Sequence, residues 1–583
     1  MKSTPSIEVD LKGQEGTSQI FLAPIENFPY IKQKDIYQTL EYYLCTAVSV
    51  FLLSFFTTSA GFKSYNYIIK HNLELSLSYL TKYRDYEDLQ WKYFRTNFFI
   101  FLFIGIAFVA VSKFIKKYNS GEFLKYFYTI SGIFFALCLI KFRILYIFSA
   151  LFLFYFTKKL IVLGDRIFVI INWCELFLCK FIIAKAEKIF ELKKILQNEN
   201  NDMDNITWEF ILVYSLLKML SYNIEYKKIY FEQTVPESIF SLNQARSHCM
   251  ECYDGNFCAK CLENTVISDK DKTEDSFDII NLINYIFYLP LLYNGPLINY
   301  NSFIFQLNII KDSKHNDLIK MNKILYFLKF LLIFTIMEVY NHFLFPIFLF
   351  RNGYTTLEPN NSEVSLFYYC FICFNILTFI WLKYAVIWKF WRLLAWCDGI
   401  YVEENMNRIM YDIYSLEEFF RGMNRSLNRY LVRYLYVPLG GREKKYVNIW
   451  VIFASLFLIF EFENVDYIVF SVCCCVLLDV EIFVKKMFLN KFGEDFNEKV
   501  YLRYLKYVIC SFYVFILLIV ALLGFHFSIQ GIKVFFDNVL RLGGYFYFMI
   551  YVIFLVPNVV MMFFIRDMEL ENCVLLHKKA LNY

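Results

Sequence analysis

Several things are missing from this 583-residue chain, and each absence narrows the reading. No stretch alternates apolar and polar residues with a period of two, which argues against an outer-membrane barrel. No GxGxxG, Walker loop or HExxH occurs, so none of these short motifs points to a nucleotide or a metalloprotease zinc. No tandem repeat is visible, and no inverted repeat of the transporter kind. Histidine is scarce, with six residues at 71, 248, 315, 342, 526 and 577. The formal net charge of +5 is too small to imply a nucleic-acid partner. Lysine and arginine are spread over many loops, which weakens any orientation drawn from charge. No apolar run with a small-residue cleavage site follows the polar stretch Met1–Lys34, so no cleaved signal peptide is expected.

What remains is largely apolar. Hydrophobic residues make up 58% of the chain, against about 45–50% in an ordinary soluble domain. Apolar runs near 43–62, 97–115, 126–163, 166–186, 207–226, 279–299, 324–350, 365–387, 447–464, 466–489, 502–526 and 541–565 are long enough to cross a bilayer. Run 126–163 is long enough for two passes, and the total is roughly eleven to thirteen helical elements. The expectation is an all-α, multi-pass integral membrane protein. Hydropathy does not separate spanning from re-entrant segments. The many Phe and Tyr residues suit lipid-facing and interfacial positions without a ligand cage. The triple Cys473–Cys475 reads as helix packing.

The longest hydrophilic stretch, Lys227–Phe277, holds "CMECYDGNFCAKC". Cys249, Cys252, Cys258 and Cys261 form two CxxC knuckles that could close a structural zinc site of four thiolates. The intervening loop is shorter than in a zinc ribbon, and free, acylated or disulfide-bonded cysteines remain open readings.

A second unusual stretch is "SLNRYLVRYLYVPLGG", Ser426–Gly441. Arg421, Arg425, Arg429 and Arg433 recur every four residues, so on one α-helix they form a slowly drifting ridge. Asn424 and Asn428 stack one turn apart beside it. The helix should break near Pro438, and Gly440–Gly441 allow a tight turn. Such a ridge either snorkels to lipid headgroups or holds phosphates of acyl-CoA or a phospholipid, for which guanidinium is suited.

The segment "FFRGMNRSLNRYLVRYLYVPLGG" (Phe419–Gly441) resembles the signature region of the membrane-bound O-acyltransferases, in the branch of the glycerol-uptake proteins and hedgehog acyltransferase. "RDYEDLQWKYFRTN" (Arg84–Asn97), "LLKMLSYNIEY" (Leu216–Tyr226), "LINYIFYLPLLYNGPLINYNSFIFQ" (Leu282–Gln306) and "VVMMFFIRDMEL" (Val559–Leu570) resemble further elements of that branch, in the same order. The resemblance implies a helical membrane body with a tunnel. Acyl-CoA would enter as the substrate from the cytosolic side, and no redox cofactor is needed. It also implies the endoplasmic reticulum membrane and a membrane-lipid acceptor, a GPI-anchor lipid or a glycerolipid. A further protein partner stays open. The expected organisation is a polar tail (1–40), N-terminal membrane helices (41–226), the cysteine-containing loop (227–277) and a catalytic-type core (278–583).

The resemblance places the family's second polar site residue at Asn424, where the branch often has His. It makes Arg421, Arg425, Asn428, Arg429 and Arg433 the substrate-binding candidates. The family's general base, a histidine 36 positions later, falls on Phe460. A phenyl ring cannot accept a proton, and removing an acid–base group costs about 10²–10⁴-fold. Glu461 and Glu463 are the neighbouring candidates, because a carboxylate in a membrane helix is expensive and is often functional; otherwise both are solvated at a helix end. His342, in "MEVYNHFLFP", is either a packing hydrogen-bonder or a tunnel residue. Three functions follow: an active O-acyltransferase, an inactive relative that binds lipid or acyl-CoA and regulates a partner, and a small-solute transporter.

Overall fold

The computed structural model describes residues 40–51, 84–118, 121–189, 202–232, 276–310, 323–349, 366–406, 408, 413–460, 464–492, 500–525, 532–533, 537 and 555–568. These residues are almost wholly helical, as expected. The β-features among them are single bridge residues, including the isolated bridge between Met406 and Met423. In lipid the backbone must satisfy its own hydrogen bonds, and the α-helix does so within one segment.

In chain order the helices are α1 Leu40–Phe51, α2 Leu89–Thr96, α3 Phe98–Tyr118, α4 Gly121–Ile140, α5 Ile144–Thr157, α6 Asp165–Ile189 and α7 Asp202–Glu232. Then come α8 Ile279–Phe287, α9 Tyr300–Ile310, α10 Lys323–Phe343, the short α11 Pro346–Leu349 and α12 Leu366–Asp398. The last are α13 Leu416–Gly422, α14 Arg425–Leu431, α15 Lys445–Phe460, α16 Val465–Phe492 and α17 Val500–Phe525, with a helix over 555–568. Among the described residues six helical stretches are long and apolar enough to cross a membrane: Phe98–Tyr118, Glu122–Val162, Asp165–Ala186, Lys323–Phe343, Val465–Phe488 and Tyr501–Gly524. The chain is a multi-pass membrane protein. The run at 126–163 does divide in two, at the turn Lys141–Arg143 between α4 and α5.

Helix α7 lies at the centre. Every residue from Ile211 to Glu225 is buried; a helix buried all round is walled in on every side. Helices α2, α4, α5, α6, α8 and α9 pack on it. The run 279–299 is not one span. Helix α8 stops at Phe287, and a buried irregular turn follows through Leu289–Leu291 to Asn299. Pro290 and Pro296 lack amide donors, and Asn294 takes a left-handed conformation with φ 52°. Irregular backbone at such depth is tolerated where protein covers it, and Leu289–Leu297 are all buried. Where α4 passes the end of α8, Gly132 lies so close that a Cβ would sit 1.9 Å from the Phe287 carbonyl oxygen.

Buried charges tie the layers together. The Asp398 carboxylate at the end of α12 accepts from Ser112, Lys116, Tyr128 and Tyr288, joining α3, α4 and the turn after α8. At the start of α2, Asp88 accepts from the Trp91 amide at 2.7 Å and from Lys383 at 2.8 Å. Glu338 of α10 pairs with Arg84 and Arg95 at 2.8 and 2.7 Å. Asp85 accepts the Ile347 and Phe348 amides, both at 2.9 Å, and so caps α11. Burial drives the Asp85 carboxyl up to about 6, against the opposing pull of these amides.

Candidate functional site

The arginine-rich segment is not one helix. The chain leaves α13 at Gly422, and Asn424 adopts φ 55°, ψ 52° before α14 begins. Asparagine is one of the few residues that enters this left-handed region at low cost. The break turns Arg421 away from the rest, where it pairs with Glu417 one turn earlier at 2.6 Å and stays 48% exposed. After α14 the helix widens into a π-turn over Val432–Tyr436 and ends ahead of Pro438, with Gly440 and Gly441 both at positive φ. The turn at Pro438 and the glycine pair is where the sequence places it.

Two carboxylates hold the other arginines. Glu225 of α7 receives Arg433 through Nε at 2.6 Å and through the second guanidinium nitrogen at 3.1 Å. The Tyr434 hydroxyl donates to the same carboxylate at 2.6 Å, and Asn301 donates to its other oxygen. Glu403, in the strap that follows α12, pairs with Arg429 and lies 3.6 Å from Arg425 Nε. Next in that strap, Glu404 pairs with Arg392 at 2.8 Å and Lys389 at 3.0 Å. Asn405 then anchors the break itself. Its carbonyl accepts from the Arg425 amide, its side-chain oxygen accepts from the Ser426 amide, both at 3.1 Å, and its Nδ2 donates to Asn424 Oδ1 at 3.4 Å.

Asn424 thus projects from a rigid corner toward α7, where its side chain hydrogen-bonds with Tyr214. Asn428 is half-buried one turn later. Trp173 of α6 donates to the Tyr434 carbonyl at 3.0 Å, and Tyr430 donates to the Leu217 carbonyl, so the segment is fixed from two more directions.

The end of α15 differs in character. Phe460 is its last residue, half-buried and packed on the main apolar core. The preceding carbonyl, of Ile459, accepts from the buried Lys180 ammonium of α6. A cation there suits the negative end of a helix. Glu461 and Glu463 lie outside the described residues, as do Cys249, Cys252, Cys258 and Cys261. Among the described residues no group of three or more His, Cys, Asp or Glu side chains could hold a metal ion. His342 stands at the end of α10, its Nδ1 2.6 Å from the Glu338 carbonyl oxygen and its neighbours Arg84 and Arg95.

The spacing of arginines located the segment but missed its partners. Glu225 stands in the quoted element Leu216–Tyr226 and Glu403 in a mixed segment, yet neither carries a local signal that it faces an arginine. Tyr214 had no signal beyond polarity in an apolar run, and Asn405, in the polar stretch Glu403–Arg408, had none.

The model of the membrane-bound O-acyltransferase family matches residues 172–525, well over half of the chain. This protein belongs to the membrane-bound O-acyltransferase family. It is 25% identical over 381 residues to membrane-bound O-acyltransferase GUP2 of Saccharomyces cerevisiae, covering 64% of this chain and 61% of that protein. It is 28% identical over 285 residues to membrane-bound O-acyltransferase gup1 of Schizosaccharomyces pombe, covering 46% of each. The mouse protein-cysteine N-palmitoyltransferase HHAT matches at 26% over 163 residues, 28% of this chain and 31% of that protein. The matches therefore span about three-fifths or less of the lengths of these relatives. The matched family region contains α7, the turn after α8, the strap and the Asn424 corner.

Proposed function

We propose that this protein is an O-acyltransferase that moves an acyl chain from acyl-CoA to a lipid hydroxyl, a GPI-anchor lipid or a glycerolipid, in the endoplasmic reticulum membrane. The observation that carries the reading is the Asn424 corner. A polar side chain is held there by Asn405 and Tyr214, and preorganised hydrogen-bonding groups are what acyl transfer needs. In the reaction the acceptor oxygen attacks the thioester carbonyl, the C–O bond forms, the C–S bond breaks, and the CoA thiol leaves. Asn424 orients the reacting carbonyl or the acceptor. Arg425 and Arg429, 17% and 22% exposed and sharing one carboxylate, are best placed to receive CoA phosphates, with Arg421 and Asn428 flanking them. Arg433, held by Glu225, positions the segment for them. The hydroxyl proton passes to Glu461, next to Phe460, the position the family gives to histidine, and from Glu461 to the departing CoA sulfur, which leaves as the thiol.

One observation favours a second reading. Phe460 packs on the apolar core, so the site would bind acyl-CoA or lipid without transferring it and act on a partner. Purified protein in detergent, given radiolabelled palmitoyl-CoA and mixed lipid acceptors, separates the two. Labelled lipid formed by the wild type and lost in Asn424→Ala supports the enzyme. Acyl-CoA binding without transfer supports the second reading, and neither binding nor transfer sinks both.

A further inference from the structure

The turn after α8 and helix α9 make a second line of contacts to the arginine segment. The Leu297 amide donates to the Ser426 hydroxyl at 2.9 Å, at the start of α14. Asn301 donates to Glu225, the carboxylate that holds Arg433. Gln306, 1% exposed, reaches the strap. Its Oε1 accepts from the Tyr401 amide at 2.6 Å, and its Nε2 donates to the Tyr401 carbonyl at 3.1 Å. Nε2 also donates to the Ser302 hydroxyl one turn earlier, at 3.2 Å.

The strap needs such a partner. Residues 400–404 are neither helix nor strand, and backbone groups taken from water must still be paired. The Ile400 amide returns to the Ala395 carbonyl of α12, and the Val402 carbonyl accepts from Arg392 and Trp396. Between them, both backbone groups of Tyr401 are taken by one side chain. This pins the strap lengthwise, because a shift by one residue would break both bonds together.

Register matters here because the next residues have different partners. Glu403 pairs with Arg425 and Arg429 of α14. Glu404 pairs with Lys389 and Arg392 of α12. Asn405 takes the Arg425 and Ser426 amides and donates to Asn424. A one-residue slip would exchange the two carboxylates and withdraw Asn405 from the corner. Gln306 makes its own hydrogen bonds to Ser302 and Tyr401, so its reach to the corner runs through the strap. We propose that Gln306 is a positioning residue for acyl transfer: it sets the register of the strap and, through Asn405, the place of Asn424. The proposal rests on the acyl-transfer reading above and adds to it a residue remote from the reacting atoms.

The test measures transfer from radiolabelled palmitoyl-CoA to mixed lipid acceptors by the full-length protein in detergent. Rates are expressed per palmitoyl-CoA bound at saturation, so that unfolded protein does not count. Gln306→Met keeps the volume and loses the hydrogen bonds. Its transfer should fall about 10- to 10²-fold, the scale of a small misplacement at a reacting centre, with little change in palmitoyl-CoA affinity. Asn405→Ala should lose a similar factor, and the double variant little more, because both act through one contact. Gln306→Glu adds a readout that a space-filling role lacks, and it decides the matter should the methionine variant fail to fold. Protonated, the glutamate accepts from the Tyr401 amide and donates to its carbonyl; ionised, it sets a charge against that carbonyl. Its transfer relative to the wild type should therefore fall as pH rises. Wild-type turnover in Gln306→Met, losses that multiply in the double variant, or a Gln306→Glu to wild-type ratio that does not change with pH each overturns the positioning role and leaves the acyl-transfer reading standing. No transfer by the wild type overturns both.

Discussion

On the proposed reading the Asn424 corner and the end of α15 serve one site, and the two places are built differently. At Asn424 the polar groups have partners on three elements: the strap, α7 and α14 itself. At Phe460 an aromatic ring packs on the core, and the nearest buried polar contact is a lysine on the carbonyl before it. If the proposed roles hold, groups that position a substrate and groups that move its proton can change separately. The first set is locked into the packing of many helices. The second depends on one side chain at a helix end.

The largest expected effect breaks the locked part. Arg433→Met leaves buried Glu225 with Tyr434, Asn301 and the more distant Lys228, 3.8 Å away, as its partners. Removing one partner of a buried pair costs about 3–5 kcal/mol. Thermal unfolding in detergent should show a large drop or no folded protein, and Glu225→Gln with Arg433→Met should recover part of it. A near-normal melting temperature for Arg433→Met would mean that this pair does not hold the segment.

A pair of substitutions at Asn424 then sharpens the comparison. Asn424→Ala and Asn424→Gly both remove the side chain, and each should lower transfer about 10²-fold, the scale of one preorganised donor. Only the alanine meets the left-handed backbone at φ 55°, so it alone should also lose about 1 kcal/mol of stability. Transfer kept by the glycine variant would reduce Asn424 to a backbone role.

Glu403 offers a smaller and opposite effect. Its carboxylate shares Arg425 and Arg429. Glu403→Gln leaves both guanidinium groups for a phosphate, and CoA affinity should rise a few-fold, more so at low salt. Weaker binding would mean that Glu403 shapes the site instead of competing for it.

The smallest effect lies away from both regions. The folded protein holds the Asp85 carboxyl at about 6, above its ordinary 3.8. The native state therefore binds the proton more tightly than the unfolded chain does. Asp85 favours folding at low pH, and this contribution is lost as pH rises from about 4 through 6. Asp85→Asn should flatten that part of the stability profile of protein in detergent; an unchanged profile would assign it to other groups.

Much of this fold was legible because apolar length and helix formation in lipid are local properties. The end of the arginine segment at Pro438 and Gly440–Gly441 was legible in the same way. Other features are relations across the chain. The break at Asn424 is held by Asn405, 19 residues away, and the arginines are neutralised by Glu225 and Glu403. A ridge at a four-residue spacing reads as one helix until those partners are known. The run 279–299 has the length of a span, yet its prolines and Asn294 make it a buried turn once other helices cover it.

The most direct measurement compares acyl transfer from radiolabelled palmitoyl-CoA by the wild type, Glu461→Gln and Phe460→His. On this account the wild type transfers, Glu461→Gln falls by about 10²–10⁴-fold, and all three bind acyl-CoA alike. A wild type that binds acyl-CoA without transferring it, with activity appearing only in Phe460→His, would contradict the account and mark a site kept for binding alone.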